Sequence, residues 1–131
     1  MVNKNSCEDF CPVSKAMIFI SKKWSIEIIR DIFFGKKRFK EFNAEKPNLS
    51  NKVLSDCLKN LEQNGIIEKR IINSSPISTE YYLTKQWESL NRVIYELAIF
   101  ALENSDDEAY NNESQCNQIK QNFKDTLMIT D

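Results

Sequence analysis

The stretch that decides the fold runs from residue 39 to residue 83 and reads FKEFNAEKPNLSNKVLSDCLKNLEQNGIIEKRIINSSPISTEYYL. A brief helix at 39–45 precedes Pro47, which ends it. Asn48 and Ser50 both offer an N-cap for a second helix, and Gly65 closes that helix. The apolar residues of the second helix share one side, as helical spacing requires; they are Val53, Leu54, Cys57, Leu58 and Leu61.

After Gly65 the spacing of apolar residues changes from a period of 3.6 to a period of 2. Ile67, Lys69 and Ile71 alternate with their neighbours, and the turn-rich run 73–76 then leads into a second β-prone segment at 79–83. These segments predict a β-hairpin whose loop is longer than a tight turn.

Two helices are expected before this stretch. Pro12 suits the first position of a helix, with Cys11 on its N-cap side. A second helix runs from about Trp24 to Phe34, and Gly35 sits where a left-handed C-terminal cap is wanted. The first helix carries apolar residues at the spacing of one buried face; they are Val13, Ala16, Met17 and Ile20.

Behind the hairpin, a long helix is predicted from Lys85 onward. Its apolar residues follow a heptad spacing that is typical of helix pairing; they are Trp87, Leu90, Ile94, Leu97 and Ala101. We therefore expect these five residues at a homodimer interface. An acidic loop follows, and a last amphipathic helix then places Cys116, Ile119, Phe123 and Leu127 on one side.

The order of elements predicts the fold class. Helix, helix, short helix, helix, hairpin and long helix is the order of a winged helix-turn-helix domain. The expected fold is mainly α with a small β-hairpin, completed by terminal dimerisation helices. We expect residues 1–105 to form the DNA-binding domain, with a dimerisation helix at about 86–104. Residues 106–131 would then be an acidic loop and a helix packing on the dimer interface.

Charge is divided unevenly along a chain whose net charge is −1. Residues 1–85 hold 15 basic and 10 acidic residues, whereas residues 86–131 hold 3 and 9. A basic body with an acidic tail is compatible with nucleic-acid binding, because a local basic face matters more than the overall charge.

Several function classes are disfavoured by composition. The chain of 131 residues has no histidine and only two glycines, which removes the commonest general base and zinc ligand and any Gly-rich phosphate loop. We expect no enzyme, no cofactor and no metal. The chain contains no run of eighteen apolar residues, so we expect no membrane-spanning helix. Its polar start does not resemble a signal peptide. A cytoplasmic location is therefore expected.

The candidate DNA-binding residues fall into three groups. Lys52, Ser55 and Lys59 share the outer side of the proposed recognition helix, where a major groove could admit them. The remaining candidates are Ser50 and Asn51 at the start of that helix, Lys37 and Arg38 in a basic turn, and Arg70, Ser74 and Ser75 in the wing. An ordinary solvated surface is the alternative for each group, and Asp56 would repel phosphate.

The sequence also resembles the HxlR-type transcriptional regulators over roughly residues 7–105. The resemblance is carried by Cys11-Pro12-Val13, Lys23-Trp24, the run 35–42 (GKKRFKEF), Leu49-Ser50, Leu54, Leu58, Leu61-Glu62, Gly65-Ile66 and the run 80–84 (EYYLT). It implies a DNA-binding homodimer joined by terminal helices that reads a roughly palindromic operator. The wing departs from the pattern, since Ile77-Ser78-Thr79 follows Pro76 where the family often has a basic residue.

Cys11 is the most distinctive single residue. At a helix N-terminus, with Lys15 one turn on, its thiolate would be favoured. The resemblance implies that such a cysteine can sense oxidants or electrophiles. Cys7 is the candidate for a resolving partner. The alternative is that Cys11 packs beneath the dimer helix. A small-molecule or oxidant effector is compatible with this reading, and a protein-interaction module without DNA binding is the alternative function.

Overall fold

The computed structural model describes residues 11–105 and 112–130. Its elements follow the predicted order, and the mainly α fold with one two-stranded antiparallel hairpin is confirmed. They are α1 (Pro12–Ile20), α2 (Ser25–Phe33), α3 (Phe39–Asn43), α4 (Asn51–Gln63), β1 (Ile67–Ser74), β2 (Ile77–Leu83), a 3-10 helix (Lys85–Leu90), α5 (Asn91–Asn104) and α6 (Glu113–Thr126).

Both ends of α4 are fixed by local interactions. The Ser50 hydroxyl accepts a hydrogen bond from the Val53 amide at 3.1 Å, so Ser50 rather than Asn48 is the N-cap. At the other end Gly65 has a φ of +73°, which a residue with a side chain adopts only under strain. The Ile66 amide then bonds the Leu61 carbonyl at 2.9 Å and closes the helix.

The core draws on nearly every element, including the last helix. Leu127 at the end of α6 is fully buried, and its carbonyl accepts a 2.8 Å hydrogen bond from the Asn91 amide group. The rings of Phe34 and Phe123 lie 4.9 Å apart. The buried apolar residues are Ile28, Ile29, Phe42, Leu49, Leu54, Cys57, Leu58, Leu61, Ile66, Ile67, Tyr81, Ile94 and Leu127. Helix α6 thus shares the core of its own chain, and its contact with a partner stays a prediction.

The hairpin is longer than the sequence indicated. β1 extends to Ser74 and β2 begins at Ile77, so only Ser75 and Pro76, joined by a cis peptide bond, form the turn. The prediction of a loop longer than a tight turn is therefore wrong. A register irregularity between Ile71 and Asn73 absorbs an extra residue. That shift lets the ladder continue through the polar residues that looked like a loop.

Helix α1 does not bury the face that its spacing predicted. Val13 is 68% exposed, Met17 is 44% exposed, and Ala16 is also exposed. Only the end of the helix packs against the core, through Phe19 and Ile20. The Phe19 ring meets the Trp87 ring edge-on at 5.3 Å. An apolar periodicity shows which side of a helix is apolar, but it does not show that the same chain covers that side.

The predicted long helix is broken into two parts. Residues Lys85–Leu90 form a 3-10 helix, which has three residues per turn, and the α-helix begins only at Asn91. The heptad seam therefore does not run straight across this junction. Trp87 and Leu90 pack half-buried against the core, whereas Leu97 and Ala101 are exposed. Ile94 is only 3% exposed and belongs to the core of its own chain, so it offers little surface to a partner, and its place at a dimer interface stays a prediction.

The buried carboxylate of Asp31 connects the segments that precede and follow α3. Asp31 is 1% exposed, and the Lys46 ammonium donates a hydrogen bond to its Oδ2. Lys36 Nζ lies 3.8 Å from the same oxygen. Arg30 Nη2 lies 2.9 Å from Oδ1, which accepts no hydrogen bond from the part of the chain that the structure describes. The Arg30 contact is therefore electrostatic, while the Lys46 contact is hydrogen-bonded.

We expect Asp31→Ala to lower the free energy of unfolding by about 3–5 kcal/mol, because it leaves the 9%-exposed Lys46 ammonium without its anionic partner. Urea denaturation followed by circular dichroism would measure this. Asp56→Ala is the matched control, since Asp56 is 65% exposed and its contact with Lys52 spans 3.8 Å. Its cost should stay below about 1 kcal/mol. Equal losses in the two variants would contradict the structural role of Asp31.

Candidate nucleic-acid interface

The outer side of α4 presents a row of polar side chains to solvent. Lys52 is 87% exposed and Lys59 is also exposed, while Ser55 between them is half-buried. The Asp56 carboxylate lies 3.8 Å from the Lys52 ammonium and is itself 65% exposed. An exposed pair of this kind is weak, so Lys52 can exchange it for another anion at little cost. We call Lys52, Ser55 and Lys59 the α4 row.

The start of α4 is tied to α3. Asn43 donates a hydrogen bond from Nδ2 to Asn51 Oδ1 at 2.7 Å, and the same group lies 3.5 Å from the Leu49 carbonyl. Ser50, a predicted DNA-binding residue, uses its hydroxyl to cap α4. These contacts fix the angle between the two helices of the helix-turn-helix unit, and the sequence offered no signal for the Asn43 contact.

The basic turn before α3 is held by Glu41. Its Oε1 accepts hydrogen bonds from the backbone amides of Lys37, at 2.9 Å, and Arg38, at 2.8 Å. These two bonds lower the pKa of Glu41, because they stabilise the charged carboxylate. Glu41 follows Arg38 by three residues, which is the spacing of a capping box. That spacing was the signal that our sequence analysis missed.

Strand β2 connects the basic turn to the wing. The Tyr81 amide bonds the Lys37 carbonyl at 2.7 Å, and Arg38 Nε lies 3.7 Å from Glu80 Oε2. The Tyr82 hydroxyl donates a hydrogen bond to Glu80, and this bond raises the pKa of Tyr82. The turn and the sheet are therefore joined by a backbone hydrogen bond and an ion pair, with Arg38 still 58% exposed.

Arg70 is more constrained than the sequence indicated. Its Nε donates to Glu68 Oε1 at 2.6 Å, and its guanidinium lies 3.9 Å from the centre of the Tyr82 ring. At the wing tip, Ser74 and Ser75 are exposed beside an equally exposed Ile77. The structure brings the basic turn and the base of the wing together. The tip of the wing exposes two serines and an isoleucine and carries no basic side chain.

Cys11 occupies the N-cap position of α1 and is half-buried. Its carbonyl accepts the Lys15 amide at 3.1 Å, which begins the helical hydrogen-bond pattern. Cys7 lies outside the described residues, as do residues 106–111 of the acidic loop.

Comparison with known families agrees with this geometry. The family model described as HxlR-like helix-turn-helix matches residues 19–109, a span that holds α2, α3, α4, the hairpin and α5. This chain belongs to the HxlR-like helix-turn-helix family. The resemblance in the sequence is thereby confirmed.

Two relatives from Bacillus subtilis illustrate the membership of this HxlR-like protein. It is 36% identical over 96 residues to the HTH-type transcriptional regulator YvaP, covering 72% of this chain and 89% of the relative. It is 36% identical over 92 residues to the HTH-type transcriptional regulator YodB, covering 70% and 82%. These relatives are transcriptional regulators.

Solved structures give the same result. The reduced form of YodB from B. subtilis superimposes with a TM-score of 0.62 at 34% identity, covering 74% of this chain and 96% of that one. The redox regulator HypR in its oxidized form gives a TM-score of 0.68 at 29% identity, covering 74% and 100%.

The HxlR-like chain is therefore a DNA-binding transcriptional regulator, and the alternative of an interaction module without DNA binding is not favoured. Helix-turn-helix regulators of this kind bind DNA and are generally dimeric. Within residues 11–105 and 112–130, no helix is long and apolar enough to cross a bilayer.

Proposed function

We propose that the chain acts as a homodimeric repressor or autoregulator that binds a pseudo-palindromic operator in double-stranded DNA. One observation carries the proposal: Lys52 and Lys59 of the α4 row are exposed to water, while the opposite side of α4 is buried in the core through Leu54, Leu58 and Leu61. A B-form major groove, about 12 Å wide, admits one such helix. The protein would work in the cytoplasm, without a cofactor and without catalysing a reaction.

The contacts divide into base reading and backbone holding. Lys52, Ser55 and Lys59, with Asn51 at the leading end of α4, are assigned to the groove, where lysine can bond guanine and asparagine can bond adenine. Lys37, Arg38 and Ser50 are assigned to phosphates beside the groove. Arg70, Ser74 and Ser75 are assigned to a weaker wing contact, because Arg70 already pairs with Glu68 and stacks on Tyr82.

Reversing the charge of the α4 row should abolish most DNA binding. We expect Lys52→Glu with Lys59→Glu to cost roughly 1–3 kcal/mol of binding free energy per lost contact, and to flatten the dependence of affinity on salt. Fluorescence anisotropy with a duplex from upstream of the protein's own gene, at several salt concentrations, would measure both effects.

The control for this variant is Lys85→Glu with Lys120→Glu, which makes the same charge change on the 3-10 helix and on α6. It should retain nearly the full affinity. If both double variants lose affinity equally, the effect is one of net charge and the groove assignment fails.

Dimerisation is proposed through apolar side chains that the chain leaves uncovered. Val93, Leu97 and Phe100 on α5 are 43%, 50% and 66% exposed, and a cavity of about 690 Å³ runs along this face. On α1, Val13 and Ile18 are 68% and 70% exposed. Apolar surface of this extent is typical of a protein interface, and a two-fold dimer would present two α4 helices to successive half-sites.

Leu97→Asp with Phe100→Asp should convert the dimer into a folded monomer, because each change introduces a charge into an apolar interface. Analytical ultracentrifugation at micromolar concentration would show the change in mass, and circular dichroism would confirm that the fold is retained. A dimer that survives both substitutions would place the interface elsewhere. Ile77→Asp, also at an exposed isoleucine, is the matched control and should remain dimeric.

A thiol switch at Cys11 is a second proposed function, favoured by its N-cap position in α1 beside the uncovered apolar residues of that helix. The similar structures include a quinone-bound form of YodB, at 34% identity and a TM-score of 0.59. Peroxide would oxidise the Cys11 thiolate to a sulfenic acid, which the Cys7 thiol would convert to a disulfide with loss of water. A quinone would instead add to the Cys11 thiolate and form a thioether without Cys7. Either product would shift α1 and so alter the spacing of the two α4 helices.

In the Cys11→Ser variant, peroxide or a quinone should no longer lower the affinity for DNA. In the Cys116→Ser variant, these agents should still lower it. DNA binding before and after treatment would be compared with the mass of the modified protein. A Cys11→Ser protein that still responds would refute the switch.

A further inference from the structure

A cavity of about 610 Å³ lies beside α4, between that helix and the turn that joins α1 to α2. Trp24, Val53 and Cys57 contribute apolar walls. Cys57 is only 7% exposed, and its Sγ lies 3.9 Å from the Ser25 hydroxyl oxygen. Burial raises the pKa of the Cys57 thiol, so this wall is uncharged at neutral pH. The volume falls within the range of about 300–1,000 Å³ that is usual for small-ligand sites.

The charged groups around the cavity are mostly cationic. Lys22, Lys23 and Lys59 line it, and Asp56 is the one carboxylate among the lining residues. Asp56 also lies 3.8 Å from Lys52, which offsets part of its charge. A ligand that carries one negative charge would therefore be attracted, and a cation would be repelled.

The shape of the walls indicates the rest of the ligand. The Trp24 ring is half-buried, and Lys23 Nζ stands 5.2 Å from the ring centre. A flat ring can pack against Trp24 and Val53 while a carboxylate at its edge reaches a lysine. An inorganic anion would leave the apolar walls uncovered, and a neutral hydrocarbon would pair with none of the ammonium groups.

We propose that this cavity binds a planar aromatic carboxylate, and that the bound ligand lowers the affinity for DNA. The second half rests on the proposed function. Asp56 and Lys59 belong to α4 and line the cavity, and Lys59 is also part of the α4 row. A carboxylate held by Lys22 and Lys23 would place a negative charge in the cavity that Lys59 also lines, and so would weaken the attraction of the α4 row for DNA. The cavity of about 690 Å³ along α5 opens on the face assigned to the dimer, so a second copy of the chain rather than a small ligand would cover it.

The site is tested first without DNA. Isothermal titration calorimetry of the full chain with 2-naphthoate should show binding about threefold to fivefold tighter than with neutral 2-naphthalenemethanol, since only the acid pairs with lysine. Lys22→Gln with Lys23→Gln should weaken naphthoate binding by a similar factor. Lys85→Gln with Lys120→Gln, which removes the same charge elsewhere, should leave it unchanged.

A steric variant completes the test. Val53 is 43% exposed at the cavity wall, so Val53→Phe fills the space without disturbing the core, and it should abolish naphthoate binding. Circular dichroism would verify that each variant is folded. Equal affinity for acid and alcohol, wild-type affinity in the Lys22 and Lys23 variant, or undiminished binding to Val53→Phe would each overturn the site.

DNA binding is then measured with and without saturating naphthoate. The dissociation constant for the operator duplex should rise at least about threefold, as expected from losing one exposed charge contact per protomer. An unchanged value would overturn the regulatory half of the proposal. Failure to bind any duplex would refute the proposed function, while the calorimetric result would still decide the site on its own.

Discussion

The buried carboxylate of Asp31 is the interaction on which the DNA-facing half of the molecule depends. It lies at the end of α2 and attracts Lys36 from the basic turn and Lys46 from the segment between α3 and α4. Its backbone carbonyl also accepts the Lys36 amide at 2.9 Å. A carboxylate at 1% exposure is tolerated only because these cations surround it. The same requirement holds the two segments at a fixed distance from the core.

Beyond Asp31, short polar contacts set the orientation of the basic turn and of α4. Glu41 bonds the amides of the basic turn, Asn43 bonds Asn51 at the start of α4, and β2 bonds the turn through Tyr81. Glu41, Asn43 and Tyr81 are not themselves assigned to DNA, yet together they decide where Arg38 and the α4 row lie. Rigid placement matters because a side chain reads a base only within hydrogen-bond distance.

Two further surfaces of the protein are assigned to partners that would change DNA binding. The uncovered apolar residues of α1 and α5 suit a second copy of the chain, and the cavity beside α4 suits a small aromatic anion. Both adjoin elements whose position sets the spacing or the charge of the DNA-facing side. Since α1 is anchored mainly at its last turn, by Phe19 against Trp87, it can shift with little loss of packing.

Periodicity and caps in the sequence by themselves determined the order of elements, the amphipathic α4 that Gly65 closes, and the apolar side of each helix, while the N-cap of α4 stayed open between Asn48 and Ser50. These features are local, since they follow from spacing along one chain segment. Only the tertiary structure decided that Ile94 is core while Leu97 is surface, that α1 is left uncovered, and that Asp31 is enclosed by lysines. Those outcomes depend on which distant segment covers a side chain, and no spacing rule contains that information.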